Sequence, residues 1–156
     1  MIARGYKKGV AFDLELEPIT ETHYLETSVA RAYLEMAAAA LADGLTLIVN
    51  TAFRDVGHQV RLWNTYQRRL KAWEELPVSD RELAPRPAPA ARPGYSNHQS
   101  GEAVDLNRSH DGGKTDTWLA ANAGRFGFRR TVPGEPWHYE RRSDPPEPGG
   151  RLRGVG

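Results

Sequence analysis

The sequence predicts a small single-domain α+β fold, with helices packed on a mostly antiparallel sheet. Three observations carry this. The chain has 156 residues, 39% hydrophobic and 26% charged, which suits one sizeable core. Its apolar pattern switches between a period of 2 and a helical period along the chain. Near the C-terminus, two strand-like runs face each other across a turn.

The first element is "GVAFDLELEP". Val10, Phe12, Leu14 and Leu16 fall on one side, with Asp13, Glu15 and Glu17 on the other. That alternation predicts a half-buried strand ended by Pro18. A helix follows over about residues 24 to 43, rich in Ala, Leu and Glu, and Asp43-Gly44 supplies a left-handed stop. "LTLIVNTAF", residues 45–53, is apolar and β-branched and predicts an interior strand. A second helix over about 55 to 75 places Val56, Val60, Trp63 and Leu70 along one face.

Between positions 77 and 93 the texture changes, with five prolines. This predicts an extended, polyproline-like loop rather than an element, and a loop of that length suggests a cover or rim. A turn at 96–101 and a short strand "EAVDLN" come next. A helix near 115–124 turns Trp118 and Leu119 inward. "GFRRTV" and "WHYERR" then pair around "PGEP". The domain is expected to span 1–143, followed by a mobile tail at 144–156 with too little apolar content to pack.

Composition excludes several classes of function. The net charge of +1, with short scattered basic clusters, gives no electrostatic case for nucleic acid. The longest apolar run is interrupted by Glu35, Asp43 and Gly44, so it predicts no membrane span. The N-terminus lacks the apolar core of a secretory signal, so the expected location is cytoplasmic as synthesised, with lysis or a non-classical route leading to the cell wall. There is no cysteine, so any zinc site here would need His and carboxylate ligands.

Five histidines are present, and two stand beside carboxylates in suggestive settings. His98 lies in a turn just before the strand that carries Asp105. Gly101 allows the sharp fold between them, and Ala103 leaves room beside the carboxylate. Spacing alone leaves open whether this pair binds metal, or whether Asp105 caps a turn beside an exposed His98. His138 follows Glu135 by three residues in "PGEPWHYE". Pro136 predicts a bent segment that could bring both side chains to one site, and the alternative is a proline turn with a surface carboxylate. Together the segments supply His98, Asp105 and His138 plus one further carboxylate. Catalytic zinc uses three such ligands and an open position for water, and a nearby Glu can take that water's proton. In "NTAFRDVGHQ", Arg54 offers a planar fork suited to a substrate carboxylate or a developing oxyanion.

These stretches resemble a known family. "SNHQSGEAVD" matches the pattern S-x-H-x-x-G-x-A-x-D, and "EPWH" matches E-x-W-H. Both are signatures of the D-alanyl-D-alanine carboxypeptidases and dipeptidases of the vancomycin-resistance type. That family shares its fold with lysostaphin-type peptidases and the hedgehog domain. "TAFRDVGHQ" resembles the family's S-G-Y-R-S-x-x-x-Q segment, and "WLAANAGRFGF" the stretch between the metal motifs. The resemblance covers about residues 45 to 140.

It implies that His98, Asp105 and His138 bind one Zn2+ ion, with Glu135 as the general base. Arg54 would hold the substrate carboxylate or stabilise the transition state. Ser96 and Gln59 would contact the peptide, and Trp137 would wall the pocket. Ala52, Phe53 and Asp55 depart from the family's Gly, Tyr and Ser, and Asp55 is placed to pair with Arg54. The expected activity is hydrolysis of a bond in peptidoglycan stem peptides by a monomer, with removal of a terminal D-alanine foremost. The alternatives are an endopeptidase, as in phage lysins of this fold, and an inactive hedgehog-like binding module. Two histidines and one carboxylate also suit other divalent ions.

Overall fold

The computed structural model describes residues 1–107 and 113–145. His110 and most of the expected tail lie outside the described residues. The fold is α+β, with two antiparallel sheets: a three-stranded sheet ordered β1-β2-β3 and a four-stranded sheet ordered β4-β5-β7-β6.

β1 (Ile2–Lys7) and β2 (Val10–Pro18) form a hairpin in which Lys7 pairs with Val10. The two turn residues both have positive φ, Lys8 at 50° and Gly9 at 80°, as a type I′ turn requires. Sequence reading missed β1 because Lys-Gly is a weaker hairpin signal than Asn-Gly. The period-2 reading of β2 holds along a gradient: Val10 is exposed at the hairpin tip, while Leu14 and Leu16 are buried.

The first helix begins later than expected. Residues 24–26 form β3 (Tyr24–Glu26), paired with the end of β2, and α1 spans Thr27–Ala42. Glu26 caps it, its Oε2 accepting from Ser28 N at 2.9 Å and Val29 N at 3.1 Å. A glutamate cap lies outside the usual Ser/Thr/Asp/Asn signal, so the boundary was hidden. Val29, Tyr33, Met36 and Ala40 line the buried face of α1. They pack with Val104, Leu106, Trp118, Leu119, Phe128 and Tyr139 into one core.

The expected interior strand at 45–53 is instead a short edge strand, β4 (Val49–Thr51), half exposed. α2 spans Val56–Glu74, close to the expected range, but Gln59 is its sole buried residue. Val60 is exposed, and Val56, Trp63 and Leu70 are only half-buried, so the expected face is not a core face; a different one, with Leu62, Tyr66 and Trp73, lines a cleft. The proline-rich segment contains a short helix, α3 (Val78–Leu83), and is extended beyond it.

β5 (Ala103–Leu106) is the buried central strand, preceded by a 3-10 turn at Asn97–Ser100. α4 (Lys114–Asn122) buries Trp118 and Leu119 as expected. β6 (Arg129–Arg130) pairs antiparallel with β7 (His138–Glu140). Among the described residues, no helix is long and apolar enough to cross a membrane.

Candidate metal centre

The sheet register itself assembles the site. β5 and β7 pair so that Asp105 lies directly opposite His138, and side chains opposite one another in an antiparallel ladder share a face. Asp105 Oδ1 lies 3.0 Å from His138 Nδ1. The 3-10 turn brings the third group in: His98 Nε2 is 3.4 Å from the same Asp105 oxygen. One ligand atom from each of the three residues lies within 4.8 Å of the others. All three side chains are buried, so His98 is not the exposed residue that the alternative reading required.

Local geometry fixes which nitrogens face inward. His98 Nδ1 meets the Ala52 carbonyl at 2.9 Å, so it carries the hydrogen and leaves Nε2 for the site. In return, Arg54 N donates to the His98 carbonyl at 3.0 Å. Residues 52–54 and His98 therefore hold each other in place. For His138 the inward atom is Nδ1, and Nε2 turns to Glu140 Oε2 at 3.2 Å. That approach is an ion pair whose alignment falls short of a hydrogen bond.

Charge follows this geometry. Burial raises the Asp105 carboxyl, but His138 and His98 outweigh it and hold it well below the usual carboxylate range. Burial lowers the His138 imidazole, and contact with Asp105 and Glu140 more than reverses that, to about 9. Such a donor set, two imidazole nitrogens and a carboxylate already ionised, fits Zn2+ and similar divalent ions.

The centre opens into a cleft of about 870 Å³, whose lining includes Arg54, Gln59, Ser96, Glu135 and Trp137. Glu135 is brought there by a bend in "EPWH": His138 N donates to the Glu135 carbonyl at 3.1 Å, closing a turn that defeats the odd strand spacing. Trp137, in the middle of that turn, is half-buried.

Arg54 Nη1 donates to Gln59 Oε1 at 2.9 Å, while its buried Nε has no partner among the described residues. Burial lowers the Arg54 pKa, against the pull of Asp105 and Glu135, and the guanidinium stays charged. Asp55 does not pair with Arg54 as expected. Its Oδ1 caps α2 by accepting from His58 N at 2.7 Å, the usual use of Asp at a helix start.

Two expected peptide contacts have structural employment. Gln59 is 1% exposed and spends both ends of its amide, on Arg54 and on the Ala91 carbonyl at 2.7 Å. Ser96 caps the 3-10 turn, its Oγ accepting from His98 N at 3.3 Å. Glu140 was missed in the sequence, although His138 and Glu140 are two apart on one strand and share a face.

Comparison with known proteins agrees with this geometry. Residues 22–142 match the VanY family, D-alanyl-D-alanine carboxypeptidase. A D-alanyl-D-alanine carboxypeptidase of Enterococcus faecalis is 30% identical over 141 residues, covering 82% of this chain. The chain spans about half of that relative, 52% of its length. Among solved structures, a point variant of the vancomycin-resistance D,D-pentapeptidase VanY from the VanB-type resistance cassette, in complex with Zn(II), superposes with a TM-score of 0.65. It is 29% identical, over 83% of this chain and 79% of that one. VanYB in complex with D-alanine-D-alanine gives 0.66 at 28% identity, over 83% and 78%. The match over most of the domain, together with the register that joins Asp105 to His138, places this chain in the VanY D-alanyl-D-alanine carboxypeptidase family.

Proposed function

We propose that this chain is a zinc-dependent D-alanyl-D-alanine carboxypeptidase acting on peptidoglycan stem peptides. The observation that carries the reading is the convergence of His98, Asp105 and His138 at the head of a cleft that also receives Arg54 and Glu135. The zinc and D-alanine-D-alanine of the related structures support it.

His98 Nε2, an Asp105 oxygen and His138 Nδ1 are the atoms that would hold the ion. Bound there, zinc supplies a Lewis acid and a water of lowered pKa. Glu135 takes the proton of the attacking water and delivers it to the leaving amine as the peptide C–N bond breaks. Arg54, held through Nη1 by Gln59, directs its remaining N–H groups at the substrate's terminal carboxylate or the developing oxyanion. Ser96 serves by fixing the His98 turn, Gln59 by fixing Arg54, and Trp137 as a wall beside the scissile bond.

The test is mass spectrometry of muropeptides digested by the zinc-loaded protein. Loss of a single terminal alanine is the expected product. Loss of an Ala-Ala unit would make it a dipeptidase, and internal scission would make it an endopeptidase of the lysin kind. Glu135→Ala should keep its zinc and lose roughly two or more orders of magnitude in rate. A zinc-loaded wild type that turns over no stem peptide would return the chain to the class of binding modules.

A further inference from the structure

The turn that carries His98 is held from a second direction, by the N-terminal hairpin. Residues 97–100 lie between Gly94 and Glu102, and the hairpin reaches both of these. Gly9 N, at its tip, donates to the Gly94 carbonyl at 2.9 Å. Lys7 Nζ, on β1, donates to Glu102 Oε2 at 2.9 Å. The Gly94 N–H is spent inside the turn, on Gln99 Oε1 at 2.8 Å, and Gln99, next to His98, is fully buried. A hydrogen-bonded path therefore runs from the hairpin tip through Gly94 to the neighbour of a metal-binding residue.

The contact is built for close approach. Gly9 and Gly94 both take left-handed angles, with φ at 80° and 88°. A Cβ on Gly94 would lie 3.3 Å from Gly9 Cα, a backbone atom that no rotamer change can move aside. A Cβ on Gly9 would lie 2.7 Å from the Tyr95 hydroxyl, so the same tip backs a residue that lines the cleft. At the far side of the turn, Glu102 is 8% exposed, and a buried carboxylate that loses a cationic partner is costly to keep in place. The hairpin precedes residue 22, where the match to the family begins.

We propose that the hairpin is a working part of the metal centre: Lys7 and Gly9 are positioning residues that act through Glu102 and Gly94 to keep the His98 turn in its ligating shape. This role rests on the metal-centre reading above. The Ala52 carbonyl sets how the His98 ring is rotated, whereas the hairpin sets the backbone that carries the ring. A ligand held in place beforehand needs less ordering when the ion arrives. A turn released from the bracket spends only part of its time in the competent shape, and the apparent affinity falls by that fraction.

The test is zinc affinity of the full chain by competition with a chromogenic chelator, measured beside unfolding free energy in denaturant. Lys7→Met should weaken zinc binding roughly twofold to fivefold, the range of a partly exposed ion pair, and Lys7→Arg should restore most of it. Gly94→Ala should weaken it roughly fivefold, as for one lost hydrogen bond. Gly44→Ala is the control. Gly44 has φ at 81° with nothing within 4 Å of where a Cβ would stand, and it does not line the cleft. It carries the angular cost of Gly94→Ala without the contact, so stability should fall while zinc affinity stays at the wild-type value. A merely structural hairpin would lower stability in every variant and zinc affinity in none. Wild-type zinc affinity in both Lys7→Met and Gly94→Ala would overturn the bracket and leave the metal centre standing. A wild type that binds no zinc would remove the metal centre and the bracket together. Should Gly94→Ala fail to fold, Lys7→Met against Lys7→Arg decides alone.

Discussion

Asp105 carries the site at the scale of single residues, because one of its oxygens faces both imidazoles. The groups behind the rings then decide which nitrogen each presents. For His98 that partner is the Ala52 carbonyl, and for His138 it is Glu140. Outer partners of this kind tune affinity without touching the ion. We therefore expect Glu140→Gln to weaken zinc binding roughly tenfold to a hundredfold, measured by competition with a chromogenic chelator, while the circular dichroism spectrum is preserved. Unchanged affinity would remove Glu140 from the site. His98, Asp105, His138 and Glu135 could be singled out because their residue types sit at motif spacing, and the fold brings all four to one cleft. Glu140 could not, since a carboxylate at the end of a strand also reads as solvated charge. The role of Gln59 was hidden for a related reason: its partners lie on another segment and on a backbone carbonyl.

Elements position these residues through a few tight junctions. Gly101 ends the turn that carries His98 with φ at 73°, and a Cβ there would lie 3.0 Å from Glu26 N and 3.1 Å from Leu14 Cδ2. The left-handed angle alone costs a non-glycine residue about 1–2 kcal/mol, and the crowding adds to it. Gly101→Ala should lower unfolding free energy by at least that amount in denaturant titration, and a neutral outcome would show that the turn can relax. The sequence identified this glycine because a sharp reversal was needed between His98 and the strand. It misread β4 and α2 for one shared reason. Apolar, β-branched residues predict burial, but β4 lies at a sheet edge and Val60 of α2 is exposed. Periodicity shows which face of an element is apolar, not whether protein or ligand will cover it.

Across the whole molecule, the N-terminal hairpin and the end of the described chain are tied together through Glu102. Its carboxylate accepts from Lys7 Nζ at 2.9 Å on β1 and from Ser143 N and Oγ at 2.9 and 2.8 Å, just beyond β7. Its backbone carbonyl accepts from Arg141 N at 3.0 Å. Burial raises the Glu102 carboxyl, yet the Ser143 and Lys7 contacts outweigh it and bring it below its ordinary value of 4.5. A carboxylate with a depressed folded pKa stabilises the protein above its unfolded pKa, and that contribution is lost as pH falls through the folded value. Unfolding free energy should therefore decline more steeply below about pH 4.5 in wild type than in Glu102→Gln. Coincident pH profiles would mean that this link adds nothing. Long-range ties of this sort are invisible in a single sequence, because Lys7 and Glu102 lie 95 positions apart. The α+β class and the single core were legible from pattern alone, whereas the division into two sheets depended on the β1–β2 hairpin that the sequence concealed.

The central claim is that His98, Asp105 and His138 form one zinc centre that cleaves a terminal D-alanine. Its most direct test is free D-alanine release from a stem pentapeptide, followed through chelation and return of one equivalent of zinc. Release should stop on chelation, recover in full with that single equivalent, and be slower by roughly two or more orders of magnitude in Glu135→Ala. Release that survives chelation, or a zinc-loaded wild type that releases none, would contradict it.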